Sequence, residues 1–389
     1  MLRNLNNLLF SNRLLILLTI VLRIFIHLDQ QHTLHFNKDI PIEEIFGKNH
    51  LENCYELQAQ LESDWESGIH NTLNYLLYQK NIANKRVTQM LRSKLDATKF
   101  IAKTSTKNIL NILKNIKMPL KREILKMKFL TQAETTDFQF CPKQNIQEFV
   151  DMLTNESDFN ELTIWFLLLT NVQLLLQPYL EKQKFPVPKT FGVCGLTLYE
   201  EYVGNTLQYF EYANFRIKLS IAKQLLDIAF KFTEGINGYH IYITDLTSDN
   251  LIYNTAHDKL YLIDLDTIYI VDGNNTKESE MIDYHDYIEC NNDCFAFVPV
   301  RLCTNGLSDL NILSACVYLR ENLRKDGTRG FLHPIPEQVM VKHTNLMELL
   351  DECVGGVIAS NAASNFDLMS RFNAAAELSK LFTYIIKEW

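Results

Sequence analysis

The segment from Tyr239 to Asp272, YHIYITDLTSDNLIYNTAHDKLYLIDLDTIYIVD, constrains the fold more than any other stretch. Asp245 stands five residues before Asn250, and both precede a β-prone run that ends at Asp264. His240 to Thr244 alternates like a half-buried strand, Leu251 to Tyr253 is short and β-prone, and Lys259 to Ile263 follows a turn containing Asp258. The pattern predicts a β-ribbon presenting two acidic loops on one edge. The spacing is that of a phosphoryl-transfer site, where one Asp orients the attacking hydroxyl and an Asn and a second Asp hold metal ions on the phosphates. Asp245, Asn250 and Asp264 fit those roles in that order. The same residue types also make plain turns between strands, so the spacing alone leaves both readings open.

The surroundings narrow the choice. Leu198 to Gly204, LYEEYVG, reads as an apolar strand running into a short linker that ends in glycine. Phe215 to Phe232 places Ile217, Ile221, Leu225, Ile228 and Phe232 at three- and four-residue steps, which predicts an amphipathic helix facing a core. Strand, hinge, helix, acidic loop, hairpin and second acidic loop follow one another in the order found in protein kinases.

The chain resembles the divergent protein kinase domain family of the secretory pathway, in particular its deleted-in-autism branch. The resemblance is carried by CPKQ (Cys141 to Gln144), FGVCG (Phe191 to Gly195), YVG (Tyr202 to Gly204), QLLDIA (Gln224 to Ala229) and YITDLTSDN (Tyr242 to Asn250). It continues through GFLHPIPEQ (Gly330 to Gln338), LLDEC (Leu349 to Cys353) and RFNAAAEL (Arg371 to Leu378), which ordinary kinases lack. The resemblance implies an α+β, two-lobed protein-kinase-like fold with a helical C-terminal lobe, stabilised by disulfides. It also implies routing through the endoplasmic reticulum and Golgi, with secretion as one outcome. Residues 1–28 read as a signal peptide or signal anchor, 29–70 as a lead-in, 71–204 as the smaller lobe and hinge, and 205–389 as the helical lobe.

The apolar run Leu14 to Leu22 has signal-peptide length and falls short of the roughly twenty residues that span a bilayer. Extended through Arg23 to Leu28 it becomes an anchor with an internal charge, the only membrane attachment expected. With 47% hydrophobic residues the chain is expected to bury a large core, and its net charge of −8 argues against a nucleic-acid partner. Basic residues concentrate between Lys80 and Lys128, where a solvated face is the default reading. The eight cysteines are Cys54, Cys141, Cys194, Cys290, Cys294, Cys303, Cys316 and Cys353. An even count in an oxidising compartment favours disulfides whose pairing the sequence does not reveal. A zinc site is the rival, but Cys290 and Cys294 lack a matching second pair. Asn155-Glu156-Ser157 and Asn274-Asn275-Thr276 are glycan acceptor sequences for a lumenal chain.

The smaller lobe departs from the kinase pattern. No glycine occurs between Gly68 and Gly192, so a glycine-rich phosphate loop is missing. Lys103 in KFIAKTS is the candidate for the phosphate-contacting lysine, against its reading as one more base on a helical surface. Its acidic partner is unassigned, with Glu123 a candidate. Ile243 stands two before Asp245 where kinases carry His, and Asp264-Leu265-Asp266 replaces Asp-Phe-Gly.

The resemblance therefore implies a nucleotide site for ATP with Mg or Mn. Lys103, Glu201, Tyr202 and Val203 would hold the nucleotide, Asp245 would act as catalytic base, and Asn250, Asp264 and Asp266 would be metal ligands. Three expectations stand side by side. One is an active kinase acting on a lumenal or extracellular protein. The second is a pseudokinase serving as a secreted factor or Golgi scaffold. The third is phosphoryl or nucleotidyl transfer with inverted nucleotide geometry, in which Asp266 adds a carboxylate.

Overall fold

A computed structural model describes residues 42–63, 86–96, 98–105, 120–131, 138–273, 302–303, 307–320, 330–355 and 370–388. The apolar run at 14–28, the sequon at Asn274 and the pair Cys290 and Cys294 lie outside the described residues. The chain divides into two compact units, 1–53 and Cys54–Trp389. In the first, the described elements are helix α1 (Ile42–Phe46) and the start of α2 (Lys48–Ala59), whose last residues open the second unit.

The second unit begins with strands β1 (Leu61–Ser63), β2 (Arg86–Ser93) and β3 (Lys99–Ser105), followed by helix α3 (Arg122–Thr131) and strand β4 (Phe138–Cys141). Helices α4 (Ile146–Glu156), α5 (Glu161–Thr170) and α6 (Gln173–Lys182) lead to β5 (Thr190–Cys194), β6 (Thr197–Glu201) and β7 (Asn205–Thr206). Helix α7 (Phe215–Glu234) precedes β8 (Tyr239–Ile243), β9 (Leu251–Asn254), β10 (Lys259–Leu262) and β11 (Ile268–Asp272). Helices α8 (Leu310–Arg320), α9 (Glu337–Lys342), α10 (Leu346–Gly355) and α11 (Ser370–Glu388) complete the described elements.

The result is an α+β fold with an antiparallel sheet toward the N-terminus and helices toward the C-terminus. The larger sheet has strand order β1-β2-β3-β6-β5. Strand β1 is its edge and falls within the span 29–70 that reads as a lead-in. The span 71–204 likewise serves both parts of the molecule, because β4 leaves the larger sheet and pairs in parallel with β11.

The expected β-ribbon is corrected. Strand β8 pairs antiparallel with β11, not with β9, while β9 pairs with β10 and with β7. The acidic loops around Asp245 and Asp264 are thus the two crossings between a β4-β11-β8 sheet and a β10-β9-β7 sheet. Sequence periodicity missed β11 because all its residues are buried, leaving no alternation to detect.

Helix α7 forms as its pattern requires. The Asn214 side chain accepts the Ile217 N–H at 3.0 Å, satisfying a donor that no intrahelical carbonyl reaches. Ile221, Leu225, Ile228 and Phe232 are buried along its stripe. It packs on α8 and α11, with Phe382 and Leu378 of α11 fully enclosed. Each such side chain contributes about 1.5–3 kcal/mol on leaving water. Helices α5 and α6 are largely buried, and no single described helix is long and apolar enough to cross a membrane.

Among the described residues three disulfides join distant segments: Cys54 to Cys194, Cys141 to Cys303, and Cys316 to Cys353, with Cα atoms 5.4, 5.0 and 5.5 Å apart. The first ties α2 to β5, and the third ties α8 to α10. The second anchors the end of β4 beside β11, in a cluster with Tyr242, Val271, Leu302 and Leu310. Bridging such long loops restricts the unfolded chain, an effect worth about 2–5 kcal/mol per bridge. Arg371 of α11 adds a buried ion pair with Asp309 and donates to the Cys353 and Val354 carbonyls at 3.2 and 3.1 Å. Those carbonyls are orphan acceptors at the end of α10.

Candidate functional site

A cavity of about 440 Å³ lies between β3 and β6 on one side and the two acidic loops on the other. Its lining includes Lys103, Glu200, Glu201, Tyr202, Val203, Asn250, Asp264 and Asp266. Seven of the eight residues singled out from sequence therefore meet at one place. The eighth, Asp245, is exposed and does not line the cavity, but it is tied to it. Asn250 Nδ2 donates to both the Asp245 carbonyl and its Oδ2, each at 3.0 Å. An amide has one oxygen and two N–H donors, so this arrangement leaves Asn250 Oδ1 as the group offered elsewhere.

The backbone around the loops is held at several points. Ile263 N donates to the Asn250 carbonyl at 2.9 Å, which joins the two acidic loops directly. Thr244 places its N–H and hydroxyl on the Thr267 carbonyl, at 3.2 and 2.7 Å. Asp264 Oδ1 accepts the Asp266 N–H at 3.3 Å, a local turn that sets both carboxylates on one short loop. From below, Asn311 of α8 accepts the Ile243 N–H at 2.8 Å and donates to the Ile241 carbonyl at 2.8 Å. This buried amide fixes the end of β8 two residues before Asp245.

The hinge follows β6 directly. Gly204 there has φ +141°, and a Cβ would fall 2.5 Å from the Tyr253 carbonyl oxygen, so only glycine fits without displacement. The next segment is bound to the first acidic loop, with Leu207 N donating to Ser248 O at 3.1 Å and Gln208 bonded to Asp249. The Pro186 carbonyl accepts the Leu262 N–H at 2.8 Å and so guides β10 toward Asp264.

Lys103 sits on a strand, not on a helical surface, and its acidic partner is Glu200, 2.7 Å away. The expectation for Glu123 is corrected: it is exposed on α3 and paired with Arg122. The reason is sheet order. β3 neighbours β6, and Lys103 pairs in register with Leu198, which brings the Glu200 side chain within reach along the same face. Lys103 also donates to the Ile263 carbonyl at 2.5 Å. Gln177 donates to Glu200 Oε2, and Gln173 donates to the Ile263 carbonyl at 2.8 Å. Sequence reading missed Glu200, Gln173 and Gln177. The signal was the pair of glutamines four residues apart in the otherwise apolar run Gln173 to Leu180, where buried polar groups need partners.

Burial pushes the Tyr199 phenol up, while a hydrogen bond from Gln58 opposes it, and burial with the Glu201 charge raises Tyr261. Burial followed by the hydrogen bond and charge of Asp258 raises Tyr253, whose hydroxyl donates to Asp258 at 2.6 Å. No three His, Cys, Asp or Glu side chains converge among the described residues. Any cation here would take Asp264, Asp266, an amide oxygen and ligand oxygens, a set suited to Mg²⁺ or Mn²⁺.

The protein-kinase domain of FAM69 matches residues 164–355, the stretch that contains the hinge, α7 and both acidic loops. Divergent protein kinase domain 2A proteins from Xenopus tropicalis, Homo sapiens and Mus musculus are each 25% identical to this chain over 236 residues. That alignment covers 58% of this chain and 53% of each relative, so the chain spans about half the length of the curated relatives it matches. By the residues that build this cavity and by these matches, the chain is similar to the divergent protein kinase domain family.

Proposed function

We propose that this cavity binds ATP with Mg²⁺ or Mn²⁺ and that the protein transfers phosphate to a hydroxyl on a lumenal or extracellular protein. One observation carries the reading: a single cavity gathers Lys103, the hinge residues Glu201 to Val203, Asn250, Asp264 and Asp266, with Asp245 bonded to Asn250. Its volume suits a nucleotide-sized ligand. Lys103 would meet the phosphates and the hinge would face the base. Asn250 Oδ1, Asp264 and Asp266 would hold the divalent ion, which when bound neutralises charge on the phosphates. Asp245 would accept the proton as the substrate oxygen bonds to phosphorus and the nucleoside diphosphate departs.

The compartment is part of the same reading. The disulfides among the described residues suit an oxidising lumen, Asn155 is exposed for glycan attachment, and the apolar run Leu14 to Leu22 suits entry to the secretory pathway.

A second reading, nucleotide or partner binding without transfer, is favoured by Ile243. Its apolar side chain is buried where kinases place a histidine, so the strand end has no polar group there. Phosphate transfer from labelled ATP to secreted proteins separates the two. In Asp245→Asn, transfer falls by about 10²- to 10⁴-fold while nucleotide affinity stays within about twofold. Nucleotide binding with no transfer by the wild-type chain would establish the second reading instead.

A further inference from the structure

One wall of the cavity is a closed ring of polar groups. Lys103 Nζ contacts Glu200 Oε1 at 2.7 Å, and Gln177 Nε2 donates to Glu200 Oε2. Gln173 Nε2 donates to Gln177 Oε1 at 3.1 Å and to the Ile263 carbonyl at 2.8 Å. Lys103 closes the ring on that same carbonyl at 2.5 Å. Glu200 is 2% exposed and Gln177 is 0% exposed. A carboxylate so enclosed persists only when paired and hydrogen-bonded, and here each of its oxygens has a donor.

The ring fixes two things at once. An ammonium has three donors, and the ring engages two, so the remaining N–H has one set direction. Ile263 is held through its carbonyl by Lys103 and Gln173 and through its N–H by Asn250 O at 2.9 Å, so the residue before Asp264 is held through both its peptide groups. We propose that Glu200, Gln173 and Gln177 are positioning residues that set Lys103 and the Asp264 loop as one unit. This rests on the nucleotide reading above. The bracing helix is then α6, not α3 with its exposed Glu123, and the lysine is held inside the sheet without the docking of a separate acidic helix.

The test uses the full chain without nucleotide first. In Gln177→Met, the amides of 264–267 exchange with deuterium about tenfold faster, as expected when a buried hydrogen bond restraining a loop is lost, while the amides of α6 are unchanged. Unchanged exchange at 264–267, or faster exchange spread through α6, would overturn the proposal. Should Gln177→Met fail to fold, Gln173→Met removes one edge of the ring and carries the same expectation. Second, an acyl-phosphate derivative of ATP labels Lys103, and Glu200→Gln lowers that labelling about tenfold through lost orientation. Equal labelling in Glu200→Gln would overturn the role in setting Lys103. No labelling of the wild-type chain, alongside faster loop exchange in Gln177→Met, would sink the nucleotide reading and leave the ring as the clamp on the Asp264 loop.

Discussion

The two sides of the cavity are built in different ways. The acidic side comes from one short stretch, Asp245 to Asp266, in which Asn250 bonds Asp245 five residues away and Asp264 accepts from Asp266. The opposite side is assembled from β3, β6 and α6, and its central contact, Lys103 to Ile263, joins residues 160 apart in the chain. Asp245 is exposed, whereas Glu200 is buried. Asp245 is thus placed for access, and the lysine side depends on exclusion of water around Glu200. The Asp245 charge stands in high dielectric at little cost to the fold, whereas the buried Glu200 charge must be matched or it destabilises the molecule.

Breaking the lysine side has the largest expected effect. Lys103→Ala leaves Glu200 buried without its cation and costs about 3–5 kcal/mol by denaturant unfolding, whereas Asp245→Asn changes stability by less than about 0.5 kcal/mol. Adding Glu200→Leu to Lys103→Met recovers much of the loss, since an apolar pair of similar volume is tolerated where a lone charge is not. Equal stability losses at Lys103 and Asp245 would erase the contrast between the two sides.

The hinge joins the two sides, and Gly204→Ala sharpens the comparison. Its positive φ and the Tyr253 carbonyl 2.5 Å from the added Cβ predict a loss of about 1–3 kcal/mol with weakened nucleotide binding. Glu123→Gln has the smallest expected effect, with the melting temperature and nucleotide affinity unchanged. A loss of nucleotide affinity there would return the acidic-partner role to α3.

This contrast also governs what was readable from sequence. The Asp245 and Asn250 spacing, the stripe of α7 and the strand into the hinge are local patterns, and each forms as its residues indicate. Glu200 was not readable, because the strand beside β3 is fixed by sheet order and not by neighbouring residues. Gln173 and Gln177 looked like tolerated polar positions in a core helix until Glu200 and Ile263 were brought against them. β11 hid because a strand buried on both faces carries no period, and the cysteine pairs are set only once distant segments pack.

The most direct measurement is the thermal shift of the full chain with ATP and Mg²⁺ or Mn²⁺, beside Asp264→Ala. A ligand that binds only the folded state at a hundredfold excess over its dissociation constant adds about 2.7 kcal/mol, so a rise in melting temperature is expected, lost without metal and lost in the variant. Without nucleotide, Asp264→Ala melts within a few degrees of the parent. A wild-type chain that shows no shift at saturating nucleotide, or an Asp264→Ala chain that shifts as much as wild type, would contradict the assignment of this cavity as a metal-dependent nucleotide site.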